Sequence, residues 1–364
     1  MTSLDDLPIR DDLRGKTPYG APQQHVPVAL NVNENTHPIP EDVAHDIVAR
    51  VAAAIIGLNR YPDREFTELR RVLADYLGHG LAADRLWAAN GSNEVLQHIL
   101  QAFGGPGRTA LGFGPTYSMY GLLASGTGTG WIAAERDADF ELSPSTAVAA
   151  IEANDPDVVL LCSPNNPTGT PLSLETIAAV ADAARGVVVV DEAYQEFADP
   201  GEASALTLLE GRPRLLVSRT MSKAFAFAGA RVGYLAGDPA AIDALRLVRL
   251  PYHLSALTQA AALGALAHAD EMLAMVDEIR GQRDRISLEL TAMGYRPYRS
   301  GANFVLFGGV ADPHAVFTAL LERGILIREI GLPGCLRVTA GTEAETTAFL
   351  EAMAAFAPGA TAAP

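Results

Sequence analysis

A lysine in a partly apolar turn is the residue of this chain with the clearest capacity for chemistry. Lys223 follows the apolar run 215–217 and lies among Met221, Phe225 and Phe227. Removal from water disfavours the charged form of an amine, and the neutral amine is the nucleophile that attacks a carbonyl. A surface lysine whose stem lies across apolar residues would have the same local sequence. The turn alone leaves both interpretations open.

Three further loops place polar side chains after short apolar runs. Ser92 and Asn93 stand where a helix would begin, a position that suits a phosphate because of its N–H groups and the helix dipole. Asn166 lies between two prolines, and Asp191 and Tyr194 follow a run of four valines. A buried carboxylate is costly unless a cation meets it. Each loop, taken alone, also fits an ordinary turn or helix cap.

Together these loops supply an amine, a carboxylate, an amide, a phenol and an arginine, which is the set that pyridoxal 5′-phosphate (PLP) requires. Lys223 would bond to the aldehyde of PLP, and Asp191 would keep its pyridine nitrogen protonated. Asn166 and Tyr194 would bind its phenolic oxygen. The phosphate and the ring face would be held by a further group of residues: Ser92, Asn93, Thr220, Ser222 and Arg231 at the phosphate, and Tyr117 stacked on the ring.

The composition of the whole chain narrows its partners. Its 364 residues, 49% hydrophobic and 19% charged, are enough for two domains. A formal charge of −16 disfavours nucleic acid and anionic membranes, whereas a small anionic ligand needs only a local group of arginines. The start of the chain lacks the apolar segment of a secretion signal, and no run reaches the ~18–20 apolar residues of a membrane span.

The cysteines and histidines indicate neither a disulfide framework nor a metal site. Two cysteines in apolar runs are too few for a disulfide framework, and eight histidines lack the spacing of metal ligands. We therefore expect a cytoplasmic protein without a metal site.

The elements that must position the reactive groups alternate along the chain. Short apolar runs are separated by amphipathic stretches such as 94–103 and 173–185, which predicts an α/β fold with a mostly parallel seven-stranded sheet flanked by helices. Ligands bind beyond the carboxyl ends of such strands, where the polar loops would collect. The predicted strands are 86–89, 109–113, 131–134, 157–162, 187–190, 215–218 and 232–236.

The pattern changes on either side of this region. A long helical region at 255–293 precedes shorter strands and helices, which predicts a smaller α+β domain. Residues 1–58 hold a single predicted helix, too little for a core of their own, so they should pack with the C-terminal part. We expect an N-terminal segment at 1–58, a large PLP-binding domain at 59–254 and a small domain at 255–364.

The order of the motifs resembles a known superfamily. Six of them follow one another as in the fold-type I aminotransferases of the aspartate aminotransferase superfamily: NGSNE, GPTYSMY, SPNNPTG, VVDEAY, SKAFAFAGARVGY and LRVTAGT. The resemblance implies a PLP-dependent aminotransferase and a homodimer with active sites at the subunit interface. It also implies a large domain beside a small domain built from both termini.

Within that superfamily the chain is most similar to the histidinol-phosphate branch, on the segments GKTPYGAPQ, LNVNENTHP, RYPD, PYHLS, ILIRE and CLRVTAGT. The resemblance implies transfer of an amino group from glutamate to imidazole-acetol phosphate, which gives histidinol phosphate and 2-oxoglutarate. Tyr61 would reach the PLP phosphate of the neighbouring subunit, and Arg337 would bind the anionic end of the substrate. The full substrate-binding set implied in this way is Tyr19, Asn33, Tyr61, Asn166, Tyr252, Arg328 and Arg337.

Three alternatives share most of these motifs. An aromatic amino acid aminotransferase of the same branch acts on phenylalanine, which has no phosphate. A PLP-dependent decarboxylase or lyase, such as a threonine-phosphate decarboxylase, uses the same scaffold. Some regulators keep the fold as an effector-binding domain beside a DNA-binding segment, which we do not expect in this chain. An intact Lys223 favours catalysis over the regulatory role.

Overall fold

A computed structural model of the chain describes residues 3–15, 20 and 23–357. Its strands, numbered along the chain, are β1 (Val28–Ala29), β2 (Leu86–Ala89), β3 (Thr109–Gly114), β4 (Gly130–Glu135), β5 (Val158–Cys162), β6 (Val187–Asp191), β7 (Leu215–Thr220), β8 (Gly233–Ala236), β9 (Arg296–Pro297), β10 (Phe304–Gly308), β11 (Ile325–Leu326), β12 (Arg328–Glu329) and β13 (Leu336–Thr339). Its α-helices are α1 (Glu41–Ile55), α2 (Thr67–Leu77), α3 (Ser92–Phe103), α4 (Met119–Gly126), α5 (Pro144–Asn154), α6 (Leu174–Ala183), α7 (Pro239–Val248), α8 (Ala256–Ala267), α9 (Ala269–Leu273), α10 (Val276–Ala292), α11 (Pro313–Glu322) and α12 (Glu343–Ala354).

Seven strands form the central sheet, in the order β2-β8-β7-β6-β5-β3-β4. Neighbouring strands are parallel except at β8, which is antiparallel to both β7 and β2. Strands β5, β6 and β7 are buried at every position, as expected for a sheet covered by helices on both faces. The predicted α/β fold is confirmed, and each of the seven predicted strands lies within two residues of its observed bounds.

Local signals also placed two of the helices correctly. The predicted stretch 173–185 is α6, whose first turn is capped by the Ser173 hydroxyl, which accepts from the Thr176 N–H at 3.0 Å. The stretch 94–103 is α3, which begins two residues earlier, at Ser92, directly after Gly91. This early start brings Ser92 and Asn93 into the first turn of the helix.

The long helical region predicted at 255–293 is helical and is divided into three helices. The backbone leaves helical geometry at His268, between α8 and α9, and a second break precedes α10. Buried residues of α8 belong to the core of the central sheet, whereas those of α10 belong to a second core. The chain passes from one core to the other at these interruptions. Their positions depend on tertiary packing, so the local sequence pattern does not predict them.

The second core joins both ends of the chain. Its main sheet is antiparallel, in the order β12-β13-β10-β9, and β1 pairs in parallel with β11. Helix α1 packs against α8, and the buried residues of both helices belong to the core of the central sheet instead. Residues near the start of the chain therefore contact the C-terminal part at two places, while the division at 58/59 and 254/255 stays a prediction. No helix within the described residues is both long and apolar enough to span a membrane.

Candidate active site

A single cavity brings together most of the predicted site residues. It lies where β6 and β7 end, between the central sheet and residues of the second core, and has a volume of about 370 Å³, within the range of small-ligand sites. The predicted residues in its lining are Asn33, Ser92, Asn93, Tyr117, Asn166, Asp191, Tyr194, Thr220, Ser222, Lys223, Arg231, Arg328 and Arg337.

Lys223 lies in the turn that follows β7. Its Nζ donates a hydrogen bond to the carbonyl oxygen of Val32 at 2.9 Å. Burial, followed by the positive charge of Arg337, lowers the pKa of this amine to about 8. An appreciable fraction of the amine is therefore neutral at physiological pH, as a nucleophile or proton acceptor requires.

Asp191 is the last residue of β6 and is 3% exposed. Its Oδ2 accepts a hydrogen bond from the Tyr120 hydroxyl at 2.9 Å, while the buried Oδ1 has no partner. Burial raises the pKa of this carboxyl to about 6. A cationic N–H group in the cavity would satisfy Oδ1 and favour the ionised form, so this carboxylate fits a protonated pyridine nitrogen.

A phenol and two amides form a network beside the lysine. The Tyr194 hydroxyl oxygen accepts from Asn166 Nδ2 at 3.2 Å and from Asn33 Nδ2 at 3.0 Å. Asn166 is in turn oriented by Arg337, whose Nη1 donates to Asn166 Oδ1 at 2.6 Å. Because Tyr194 accepts twice, its own hydrogen is left for donation to another acceptor. An ionised phenolic oxygen of a bound cofactor would be such an acceptor.

Three loops converge on a cradle for an anion. Ser92 and Asn93 lie in the first turn of α3, and no side chain that the structure describes caps that turn. The Thr220 hydroxyl donates to Ser222 Oγ at 3.0 Å, and Arg231 Nη1 approaches the same Ser222 oxygen at 3.4 Å. Helix N–H groups, two hydroxyls and a guanidinium are the donors that bind a phosphate.

Two glycines allow this convergence. A Cβ atom on Gly233, the first residue of β8, would collide with the backbone nitrogen of Ser92. A Cβ on Gly91, which has a φ of +86°, would collide with the Arg231 guanidinium. The start of α3 and the start of β8 therefore approach each other only because Gly233 lacks a side chain, and Gly91 leaves the space that the Arg231 guanidinium occupies.

Arg328 and Arg337 form the opposite wall. They are directly opposite each other in the antiparallel pair β12–β13. Arg337 Nη2 also donates to the carbonyl oxygen of Asn31 at 2.8 Å, which fixes its position. Like charges opposite one another are unfavourable, and a bound anion relieves that cost. This wall therefore fits an anionic substrate.

Two predicted residues lie elsewhere. Tyr61 and Tyr252 stack on each other outside the cavity, and Tyr61 is 79% exposed. The Tyr252 segment is tied to the cradle, because Asn90 Nδ2 donates to the His253 carbonyl oxygen at 2.9 Å. Tyr19 lies outside the described residues.

The structure also adds residues that the sequence did not indicate. Tyr120 donates to Asp191 Oδ2 at 2.9 Å, and the signal that could have found it is its spacing of three residues from Tyr117, whose ring it contacts at the start of α4. Val32 and Asn31 act through backbone carbonyls, for which no side-chain signal exists. The remaining additions to the lining are Thr116, Ser118, Cys162, Pro167, Ala193, Glu329 and Ile330.

The sheet, the desolvated lysine and the buried carboxylate define a PLP-dependent enzyme of fold type I. The chain belongs to the aminotransferase class I and II family, whose model matches residues 26–353. It is 62% identical over 362 residues to the histidinol-phosphate aminotransferase of Paenarthrobacter aurescens, with 99% of this chain and 97% of that protein covered. It is 58% identical to the histidinol-phosphate aminotransferase of Thermobifida fusca, with 96% of each chain covered.

Solved structures show the same fold. The histidinol-phosphate aminotransferase from Sinorhizobium meliloti in complex with PLP superposes with a TM-score of 0.80 at 25% identity, with 90% of each chain covered. The predictions of an aminotransferase and of PLP as its cofactor are confirmed. When bound, PLP supplies a ring that withdraws electrons from the carbon that carries the substrate amine. The residues that would hold it are those of the cradle, with Lys223, Asp191, Tyr194 and Asn166 around the ring.

Proposed function

We propose that the chain is a histidinol-phosphate:2-oxoglutarate aminotransferase, which converts imidazole-acetol phosphate and glutamate to histidinol phosphate and 2-oxoglutarate. The observation that carries this proposal is the arginine pair, Arg328 and Arg337, in the wall of the cavity. The names of relatives that are 54–62% identical to this chain support it.

The two substrates of this reaction differ in their anionic groups. Histidinol phosphate carries a phosphate ester, whereas glutamate carries two carboxylates. A guanidinium forms paired hydrogen bonds to either group, so a wall with two arginines can serve both substrates in turn. We assign Arg337 and Arg328 to this task, with Asn33 and Asn166 as neighbouring contacts.

In this proposal Lys223 is the group that moves the proton. Burial lowers the pKa of its amine to about 8. The amine accepts a proton from the carbon of the first substrate, and in the second half of the reaction it donates a proton to the carbon of the second substrate. Asp191 holds the ring nitrogen of the cofactor, and Tyr194 and Asn166 donate to its phenolic oxygen. Tyr117 stacks on the ring, and Ser92, Asn93, Thr220, Ser222 and Arg231 bind the phosphate.

We also propose that the active unit is a homodimer. Large apolar side chains are exposed where α1 ends and where α7 ends, among them Ile56 at 86% and Leu247 at 86%. Tyr61 and Tyr252 lie in the segments that follow these two helices. Apolar exposure of this kind is typical of a surface that another protein covers, and a second copy would bring Tyr61 to the neighbouring cradle.

The remaining assignments follow from this function. We place the enzyme in the cytoplasm, and its partners are small anionic molecules rather than nucleic acid or a membrane. We retain the division into an N-terminal segment at 1–58, a large domain at 59–254 and a small domain at 255–364.

Steady-state kinetics with three amino donors test the proposed substrate. Histidinol phosphate, histidinol and phenylalanine are compared with 2-oxoglutarate as the acceptor. We expect kcat/KM for histidinol phosphate to exceed that for histidinol by about 100-fold or more, because only the ester engages an arginine. A higher kcat/KM for phenylalanine would instead identify an aromatic amino acid aminotransferase.

The attachment of the cofactor is tested separately. Borohydride reduction of the wild-type protein with bound PLP should leave a stable adduct on the peptide that contains Lys223, detectable by mass spectrometry. Lys223→Ala should bind PLP without forming that adduct. An adduct on another residue of the variant would overturn the lysine assignment.

A further inference from the structure

Tyr120 is wholly buried beneath the cavity and does not line it. It is 0% exposed and lies in the first turn of α4, where its ring packs edge-on against Tyr117 and tilted against Trp131. Its hydroxyl donates a hydrogen bond to Asp191 Oδ2 at 2.9 Å and also lies beside the Cys162 thiol. Tyr120 can therefore act on a bound cofactor through the Asp191 carboxylate.

This hydrogen bond divides the two oxygens of Asp191. Oδ2 is occupied by Tyr120, and Oδ1 is buried without a partner in a residue that lines the cavity. A lone buried carboxylate could rotate about its side-chain torsions or take up a proton. A donor fixed on one oxygen opposes both changes, because it holds the orientation and stabilises the ionised form.

The charges around Asp191 make such a donor necessary. Burial raises the pKa of the carboxyl, the neighbouring Glu192 raises it further, and the Tyr120 hydroxyl opposes both effects. Cys162 faces Asp191 from β5, and burial raises the pKa of that thiol to about 12, so it stays neutral and does not balance the charge of the carboxylate. The remaining groups around the carboxyl are Ser218 of β7, the backbone N–H of Ala193, and Lys223 and Arg231 in the lining of the same cavity.

We propose that Tyr120 is a positioning residue that holds Asp191 ionised, with Oδ1 directed at the ring nitrogen of the cofactor. The proposal rests on the assignment of Asp191 to that nitrogen. Tyr117, just before α4, and Tyr120, in its first turn, then act on the face of the ring and on the carboxylate at its edge.

Equilibrium binding to the cofactor-free protein separates this role from a merely structural one. PLP is compared with an analogue in which a C–H group replaces the ring nitrogen, so that nothing pairs with Asp191. We expect Tyr120→Phe to weaken PLP binding about tenfold or more and to leave the affinity for the analogue unchanged. The loss should be larger at about pH 6.5 than at about pH 8.5, because without its donor the carboxyl is protonated more readily.

Three further variants complete the experiment. Tyr120→His retains a ring N–H donor and should recover part of the PLP affinity. Tyr295→Phe is the control, because it removes another buried tyrosine hydroxyl, one that donates to the Phe356 carbonyl oxygen at 2.6 Å. It should change the affinity for neither PLP nor the analogue. In an Asp191→Asn background, Tyr120→Phe should no longer weaken PLP binding.

The outcomes distinguish the proposal from its premise. Equal weakening of PLP and of the analogue in Tyr120→Phe would show that Tyr120 only supports the packing of α4, and unchanged binding of both would remove its role. If the wild-type protein binds PLP and the analogue equally, Asp191 does not meet the ring nitrogen and the proposal falls with that assignment. None of these results depends on which amino donor the enzyme prefers.

Discussion

Tyr61 stacks on Tyr252 with ring centroids 4.4 Å apart and an angle of 14° between the rings, yet neither residue lines the cavity. The exposed position of Tyr61 fits a role in the active site of a second copy. Mixing two inactive variants tests this role. When Lys223→Ala and Tyr61→Ala chains are unfolded and refolded together, each mixed dimer should contain one site with both an intact lysine and a partner's intact tyrosine.

We expect the mixture to recover about a quarter of the wild-type activity, since half of the dimers are mixed and each has one complete site. Each variant refolded alone is the control. No recovery in a mixture that sizing shows to be dimeric would place Tyr61 in its own subunit's site or outside any site. A monomeric wild-type protein would overturn the homodimer.

Removal of Arg328 should distinguish an amino donor with a phosphate ester from one that carries only a carboxylate. Arg328→Gln should lower kcat/KM for histidinol phosphate by roughly 10- to 100-fold, the loss of one charge-assisted hydrogen bond or a pair of them. Arg337 remains to bind the carboxylate of phenylalanine, so kcat/KM for that donor should change little. Arg323→Gln is the matched control, because Arg323 donates to the Ala352 carbonyl oxygen at the surface of the second core. Equal losses for both donors would remove Arg328 from phosphate recognition.

The lowered pKa of Lys223 predicts an unusual pH dependence of its reactivity. The chain contains only two lysines, Lys16 and Lys223, so Lys16→Arg leaves a single ε-amine. Only the neutral amine reacts with an acylating reagent. In the cofactor-free protein the rate at Lys223 should therefore rise with pH through a midpoint near 8, rather than near 10.5 as for an ordinary lysine.

The same shift has a consequence for stability. Between about pH 8 and the ordinary lysine pKa, the unfolded chain binds a proton at this position that the folded chain has lost. This group therefore makes the free energy of unfolding rise with pH across that window, and Lys223→Met should lack the rise.

The acylation rates are measured by peptide mass spectrometry, which excludes the N-terminal amine. A labelling midpoint near 10.5 would contradict the desolvation of Lys223.

The cradle should bind PLP less tightly when a side chain is added at Gly233, where β8 comes closest to α3. Gly233→Ala places a Cβ against the Ser92 nitrogen, so α3 or β8 must shift. We expect a destabilisation of about 1–3 kcal/mol and at least a tenfold loss of PLP affinity. Gly229→Ala is the control, because a Cβ there would meet nothing within 4 Å. Similar behaviour of the two variants in denaturant unfolding and PLP titration would contradict the tight cradle.

Much of the fold could be read from local pattern. Runs such as 187–190 are apolar at successive positions because both faces of the sheet are covered, and this signal needs no knowledge of the neighbouring strands. Helix α6 begins at Leu174 because the preceding Ser173 caps its first turn. By contrast, no glycine or proline at His268 predicts the interruption of the helix there. The interruption arises because the chain passes from one core to the other.

The candidate site divides in the same way. Lys223, Asp191 and Asn166 are recognisable because each is a polar group directly after a predicted strand, where parallel strands bring their loops together. Tyr120 carried a signal only in its spacing from Tyr117. The carbonyl oxygen of Val32, which accepts the hydrogen bond from Lys223 Nζ, carried no sequence signal, because any residue at position 32 has such a carbonyl.

The sequence by itself determined the central sheet, the loops with reactive side chains and the chemistry that those side chains can perform. These features depend on periodicity and residue type within short stretches of chain. The tertiary structure alone decided that Val32 meets Lys223 across 191 residues, that Tyr120 occupies one oxygen of Asp191, and that Arg328 faces Arg337. Such contacts depend on how two cores pack against each other, and packing is a property of the whole chain rather than of any segment.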